Sequence, residues 1–194
     1  MTRVDRSGGY ERMAQEFLRG RRSAGVGAAT VREWSRSLAS DGAVLDLGCG
    51  HGVPISEVLV DEGLDVYGVD ASRTMIAEFQ ARFPHAHAQC SAVEDSDFFA
   101  RTFDGIVAWG LMFLLSPPAQ ALVIRKVSQS LARGGRFLFT SPFQVCTWTD
   151  ILTGAQSVSL GRDGYRQMLE AEGLELEQET SDEGNNHYYF TSKG

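Results

Sequence analysis

The most constraining feature of the sequence is a short apolar run that opens into glycines: Val44-Leu45-Asp46-Leu47-Gly48-Cys49-Gly50-His51-Gly52-Val53-Pro54. Ala43 to Leu47 reads as a short buried strand, and Pro54 stands where the first turn of a helix tolerates it. Glycines at 48, 50 and 52 strip the turn of side chains, so a ligand can lie against bare backbone. The following helix offers free N–H groups and a positive partial charge to the same place. Beyond the turn, β-branched apolar runs alternate with helical periodicity. That is the pattern of βαβ units around a parallel sheet.

The helix after Pro54 runs to about Glu62 and stops at Gly63. A second strand spans Val66 to Val69. Ser72 caps the next helix, with Met75, Ile76 and Phe79 on one face, and Pro84 ends it. A short third strand covers about Ala86 to Cys90, and a fourth Phe103 to Trp109. Pro117-Pro118 opens a helix carrying Leu122, Val123, Lys126, Val127, Ser130 and Leu131. Gly134-Gly135 is expected to end it, with Arg136 to Thr140 as the fifth strand. Residues 141–160 show no clear period and read as a long loop with a single helical turn, and long loops in compact domains are usually functional. Asp163 is expected to cap a helix to about Ala171, stopped by Gly173. Leu174–Thr180 and His187–Thr191 alternate apolar and polar around the turn formers Asp182-Glu183-Gly184-Asn185-Asn186, which predicts a hairpin. Tyr10 to Gly20 and about Ala28 to Ala39 read as helices ahead of the sheet.

At 194 residues, with 43% apolar and 22% charged residues, the composition is that of an ordinary globular protein of one domain. No run approaches the ~20 apolar residues of a membrane-spanning helix, and Gly8, Gly9, Glu11 and Arg12 stand where a signal peptide would be apolar. Cys49, Cys90 and Cys146 are widely spaced and form no CxxC pair, which points to a reducing cytoplasm. Four histidines show no metal-ligand spacing. The net charge is −7, yet residues 1–40 hold eight arginines against four acids. In so short a segment this reads as a solvated helix face before it reads as an arm for nucleic acid.

Asp70 ends the second strand, 22 residues after Gly48, close to the spacing at which an acid holds ribose hydroxyls in dinucleotide sites. A nicotinamide or flavin fingerprint would need glycine at position 53, which is Val53. Asp46, inside the strand end, is an unwelcome neighbour for a pyrophosphate but a good one for an ammonium group.

Together these features resemble the class I S-adenosylmethionine (SAM)-dependent methyltransferases, of the small-molecule methyltransferase-domain type. Residues 43–141 carry the resemblance closely and the last hairpin more loosely. The glycine loop, the acid ending the second strand, Phe103-Asp104-Gly105-Ile106-Val107 and Leu131-Ala132-Arg133-Gly134-Gly135-Arg136-Phe137 occur in the family's order. The resemblance implies an α/β Rossmann-like doubly wound sheet, mostly parallel with a C-terminal antiparallel hairpin, in strand order 3-2-1-4-5-7-6. It implies one domain over residues 1–194, with a helical lid over 1–40 and a catalytic core over 41–194. SAM is then the methyl donor, S-adenosylhomocysteine (SAH) the product, and no metal is expected. By position, Asp46, Gly48, Cys49 and Gly50 line the methionine part of SAM, Cys49 as small filler rather than nucleophile. Asp70 accepts both ribose hydroxyls, with Ala71 and Met75 near the adenine. Ala92 stands where the family commonly has an acid, leaving the adenine to backbone at Ala92 and Val93, helped by Glu94 or Ser91. Trp109 and Gly110 pass beside the sulfonium, Trp109 either as a π face or as a plain wall. Tyr10 and Phe17 resemble lid elements that close over SAM, and Arg21 or Arg22 is placed to meet a carboxylate or solvent.

Ligands of open α/β sheets sit beyond the carboxyl ends of the strands. Phe143, Gln144, Trp148, Glu183, Asn186 and His187 fall at that edge and are the candidates for the acceptor side. His187 is the candidate general base, since imidazole titrates near neutrality; a histidine bonded within the hairpin is the alternative. The expected partner is a small-molecule acceptor, with no nucleic acid and no membrane, in a monomer or homodimer. Position 109 lacks the Asn/Asp-Pro-Pro-Tyr/Phe of nucleic-acid and glutamine N-methylating enzymes, and neither a Pro-Cys dipeptide nor a magnesium constellation of catechol type is present. A nucleic-acid or protein methyltransferase, or a SAM-binding protein without transfer activity, remain the alternatives.

Overall fold

The computed structural model describes residues 6–20 and 25–194. In chain order its elements are α1 Tyr10–Gly20, α2 Ala28–Ser35, β1 Ala43–Leu47, α3 Ile55–Asp61, β2 Asp65–Asp70, α4 Arg73–Arg82, β3 His87–Cys90 and β4 Phe103–Ala108. There follow α5 Pro117–Ser130, β5 Leu131–Thr140, β6 Val145–Thr149, β7 Gln156–Leu160, α6 Gly161–Ala171, β8 Leu174–Ser181 and β9 His187–Lys193. Seven strands form one sheet in the order β3-β2-β1-β4-β5-β9-β8, while β6 and β7 pair apart from it. Strands β1 to β5 run parallel, and β9 is antiparallel to both β5 and β8.

Successive side chains of a strand point to opposite faces, and both faces of this sheet are covered. Val44, Val66, Val107, Leu138 and Tyr188 pack with Val31 and Trp34 of α2, Val58 and Leu59 of α3, and Phe79 of α4. Their strand neighbours Leu45, Tyr67, Ile106, Phe137 and Tyr189 pack with Val123 and Val127 of α5 and Tyr165 and Leu169 of α6. Burial on both faces is why these strands read as apolar runs rather than as alternating ones. Among the described residues, no helix is long and apolar enough to cross a membrane.

The expected order 3-2-1-4-5-7-6 becomes 3-2-1-4-5-9-8, because residues 141–160 hold the two strands of a separate ribbon instead of a loop. Their pairing, Val145 with Leu160 through Thr149 with Gln156, lacks a periodic signal because an exposed position holds Val145 and the buried ones hold Ser157 and Ser159. A buried polar group ties the ribbon down. Tyr165 Oη donates to Gln120 Oε1 at 2.9 Å and lies 2.8 Å from Ser141 Oγ. Ser159 Oγ donates to the Pro142 carbonyl at 2.6 Å, and Gln120 Nε2 donates to the Val158 carbonyl at 3.0 Å.

Other boundaries move for local reasons. α5 stops at Ser130 rather than at Gly134-Gly135. Leu131 already pairs with Phe103, and the glycines lie in a register shift before Arg136 pairs with Gly105. Its buried face is Gln120, Val123, Ile124, Val127 and Ser128, which leaves Leu122 exposed. α2 ends at Ser35, and turns continue to Leu38. Leu160, not Asp163, stands at the cap of α6, so Asp163 lies within the first turn.

Replacing Tyr165 by Phe keeps the ring and deletes both hydroxyl contacts, leaving Gln120 and Ser141 buried. Chemical denaturation should show a loss of about 1–3 kcal/mol, with amide exchange of residues 145–160 accelerating before that of the sheet.

Candidate active site at the glycine loop

The loop between β1 and α3 turns on three left-handed glycines, Gly48 at φ 70°, Gly50 at 54° and Gly52 at 87°. They serve different ends. A Cβ at Gly52 would lie 2.3 Å from the Phe83 ring, so this glycine lets α4 approach. A Cβ at Gly48 would meet Leu111 at 3.1 Å, while a Cβ at Gly50 would meet nothing within 4 Å. Gly50 therefore faces open space, in a cavity of about 310 Å³ lined by Asp46, Gly48, Cys49, Gly50, His51, Val53, Ile55 and Trp109.

Asp70, at the end of β2, closes the loop from the side. Its Oδ2 accepts the Gly50 N–H at 2.9 Å and its Oδ1 the Ser72 N–H at 2.8 Å. Burial raises its pKa, and these two hydrogen bonds oppose the rise. A carboxylate offers about four acceptor positions, so each oxygen keeps one for a ligand. Asp46 lies at the base of the cavity, 2% exposed. Ser56 Oγ of α3 donates to its Oδ2 at 2.5 Å. Burial pushes Asp46 up to about 7, with the charge of Asp70 adding to the effect. Cys49 is buried and its thiol is pushed well up by the same burial, next to Asp46 and Asp70. It is a filler of the loop, not a thiolate.

The segment after β3 is organised by a residue that no local signal reveals. Lys126 of α5 donates to the carbonyls of Val93, Glu94 and Ser96 at 2.9, 3.0 and 2.5 Å. The Ala92 carbonyl accepts the N–H groups of Asp95 and Ser96. A left-handed turn over Phe98, Phe99 and Ala100 follows, at φ 51°, 57° and 51°. Ser96 Oγ and Asp97 Oδ1 hold it by accepting the N–H groups of Phe98 and Phe99. The carbonyls of Ala92, Val93 and Glu94 are thus all engaged. Met75 is buried at the start of α4, and Ala71 is half-buried beside it.

α1 and the residues before it are fastened across this region by Glu11 and Arg6, to which the sequence reading gives no role in the site, and by Tyr10, which it places in the lid. Glu11 accepts from Ser72 Oγ at 2.5 Å and from Thr74 Oγ1 at 2.9 Å, capping α4 from outside. The Ser72 hydroxyl is the chief cause of its lowered pKa. Arg6 pairs with Asp95 at 2.9 Å. Tyr10 Oη donates to Asp150 Oδ2 at 3.2 Å, in the turn between β6 and β7. Arg21 and Arg22 lie outside the described residues, and so does the side chain of Phe17.

The acceptor-side candidates are spread over the β6–β7 ribbon, the loop before it and the last hairpin. Trp148 on β6 packs against Phe113 at 5.3 Å, on the segment that leaves β4 through Trp109 and Gly110. Phe143 is half exposed, and Glu183 lies on the surface of the last turn. Asn186 gives its amide to both oxygens of Asp182 at 3.0 Å, which shapes that turn. His187 starts β9 on the same face as Tyr189, opposite to Tyr188 and Trp109. Its Nδ1 lies 3.3 Å from Ser181 Oγ and its Nε2 3.2 Å from Glu179 Oε1. Both ring nitrogens thus have partners on β8. Trp109 Nε1 donates to Tyr188 Oη at 2.7 Å.

Residues 44–135 match the protein family described as methyltransferase domain. The fold is similar to magnesium protoporphyrin IX methyltransferase of Synechocystis PCC 6803 with bound SAM, at TM-score 0.75 and 15% identity over 100% of both chains. It is also similar to the SAM-bound amino pentose methyltransferase of calicheamicin biosynthesis from Micromonospora echinaspora, at TM-score 0.74 and 17% identity over 93% of this chain and 96% of the other. A TehB-like SAM-dependent methyltransferase of Corynebacterium glutamicum matches at TM-score 0.70 and 21% identity, covering 94% and 96%. No curated protein matches the chain in sequence. At such identities the structural likeness speaks for the fold, and the fold is that of the class I methyltransferases. The match to the methyltransferase-domain family covers the glycine loop, the two acids beside it and the parallel strands β1 to β4.

The raised pKa of Asp46 makes the unliganded protein sensitive to pH. Folded, the group keeps its proton up to about 7; unfolded, it releases it near its ordinary 3.8. Its contribution to stability is therefore present at low pH and lost as pH rises through that window. Asp46→Asn stays neutral throughout. Its thermal stability relative to wild type should rise steadily between about pH 4 and pH 7, read from melting curves without ligand; a constant difference would mean an ordinary carboxylate.

Proposed function

We propose that the chain transfers the methyl group of SAM to a small-molecule acceptor by in-line displacement. The observation that carries this reading is the bare backbone of Gly50 facing open space, with buried Asp46 lining the same cavity and Asp70 bonded to the Gly50 N–H. The residues present fit the donor. Asp70, already aligned by two backbone N–H groups, has one acceptor position left on each oxygen for the two ribose hydroxyls. Asp46 lies where an ammonium group would draw off its proton, so its negative charge develops with binding. Gly48, Cys49 and Gly50 offer backbone to the methionine chain, with Trp109 and Gly110 across from them. Ala71 and Met75 lie on the adenine side. There the side chains of Ser91, Glu94 or Asp95 replace the acid that Ala92 lacks, and backbone N–H groups of Ala92 and Val93 serve the ring.

When bound, SAM supplies an activated methyl group on a sulfonium. The protein is left to align the acceptor, exclude water and place charge. α1, fastened by Arg6, Glu11 and Tyr10, serves as the lid of a single domain, and the β6–β7 ribbon with Trp148 and Phe113 walls the acceptor side with aromatic surface. Phe143, Glu183 and Asn186 border that side. His187, bonded at both nitrogens to β8, supports a role in holding the hairpin rather than as a base. The three free cysteines suit a reducing compartment such as the cytoplasm.

Asp70→Ala removes charge-assisted hydrogen bonds worth about 1.5–3 kcal/mol, so calorimetry should show SAM binding weaker by about one to two decades. Unchanged affinity in the folded variant would sink the assignment. Gly50→Val should abolish SAM binding while circular dichroism stays native. Screening candidate acceptors with methyl-labelled SAM by mass spectrometry then identifies the product. Trp148→Ala should leave SAM affinity within about twofold and lower turnover of the acceptor so found, whereas wild-type turnover would take Trp148 out of the site.

A further inference from the structure

The hydrogen bonds behind Trp109 run in one direction. An indole N–H only donates, and an ionised carboxylate only accepts. Tyr188 lies between them: Trp109 Nε1 donates to its Oη at 2.7 Å, and that Oη donates to Asp182 Oδ2 at 2.7 Å. Burial first, and the hydrogen bond to Asp182 second, push the Tyr188 phenol far up, so it stays a neutral donor. Burial would raise Asp182. Hydrogen bonds from Tyr188, Asn186 and the backbone of Asn186 and Gly184 outweigh it and hold the carboxyl below its usual range. Gly27 closes the remaining side. A Cβ there would lie 2.7 Å from Trp109 Nε1 and 2.8 Å from Tyr188 Oη.

Trp109 is held by its N–H edge beside Gly27, and it lines the cavity with Asp46, Gly48 and Gly50. A carboxylate at the far end of a hydrogen-bond chain strengthens every bond in it and enriches the indole in electron density. Such a face attracts a cation. We propose that Asp182 and Tyr188 are positioning residues that hold Trp109 with its π face toward the sulfonium, so that the last hairpin turn sets the preference of the site for charged SAM over neutral SAH. Methyl transfer abolishes the positive charge, so the same arrangement weakens the hold on the product. This rests on the SAM reading of the cavity given above.

The test is the affinity of wild type, Tyr188→Phe, Trp109→Phe and the double variant for SAM and for SAH, each by calorimetry. Tyr188→Phe should weaken SAM about three- to tenfold, the scale of a partly desolvated cation–π contact, and SAH by less than about twofold. In the Trp109→Phe background, which lacks the N–H, adding Tyr188→Phe should leave the SAM to SAH ratio unchanged. Equal weakening of both ligands, no change in either, or the same shift of ratio in the Trp109→Phe background would each overturn the relay. A merely structural role lowers the melting temperature and both affinities together. If Tyr188→Phe does not fold, Asp182→Asn is read in the same way and against the same outcomes. Wild-type protein that binds neither ligand would refute the donor assignment itself, whereas equal shifts refute the relay alone.

Discussion

Asp70 accepts the N–H groups of Gly50 and Ser72 with its two oxygens. One carboxylate thereby joins the glycine loop, the end of β2 and the first turn of α4. Without it, two backbone donors beside the cavity would lack these partners, and a loop turning on three left-handed glycines would have little else to define it. Gly48 and Cys49 share the Val69 carbonyl one residue upstream, so the loop hangs on the end of β2 at three points. The rigidity of the cavity follows from this, and so does the accessibility of Gly50. Its N–H is turned to Asp70, and its Cα faces open space.

Burial of charge in this region is costly, and the protein manages it differently at its two acids. Asp70 receives two N–H groups and sits where a ligand can add more. Asp46 receives one hydroxyl, from Ser56, and burial pushes its carboxyl up to about 7. An isolated buried charge is far more expensive than a protonated one. A carboxyl raised in this way ionises more readily beside a positive charge. The like charge of Asp70 works in the opposite direction, which ties the ionisation of one acid to the other.

Three stretches of chain outside the βαβ core are fastened to it by polar contacts. α1 reaches α4 through Glu11, the loop after β3 through Arg6, and the ribbon turn through Tyr10. The last hairpin reaches the end of β4 through Tyr188 and Trp109. The ribbon is locked to α5 and α6 through Tyr165, Gln120 and Ser159. Each is a polar fastening of an element with little apolar area of its own, laid over a core in which both sheet faces are apolar. Elements of this kind open more cheaply than the core does.

Much of this was legible along the chain. The strand over Ala43–Leu47, the glycine turn, the cap at Ser72, the place of Asp70 and the closing hairpin all follow from signals within a few residues of one another, because backbone conformation, capping and periodicity are local. The boundary of α5 was misplaced because Gly134-Gly135 is a local stop signal, whereas the pairing of Leu131 with Phe103 is not local. The same division holds for the site. That Asp46 and Asp70 flank the glycine turn could be read from their spacing. That Asp46 keeps a proton, that Lys126 holds the loop after Ala92, that Glu11 caps α4 and that Tyr188 and Asp182 hold Trp109 could not. Those partners stand 61 to 79 residues apart for Glu11 with Ser72 and Trp109 with Tyr188, and a pKa depends on what surrounds the group in space. The sequence by itself determined the order of the sheet around the glycine turn and the acids at its edge, through local rules of backbone and periodicity; the tertiary structure alone decided their charge, their orientation and their cover, because desolvation and long-range hydrogen bonds exist only once the chain has folded.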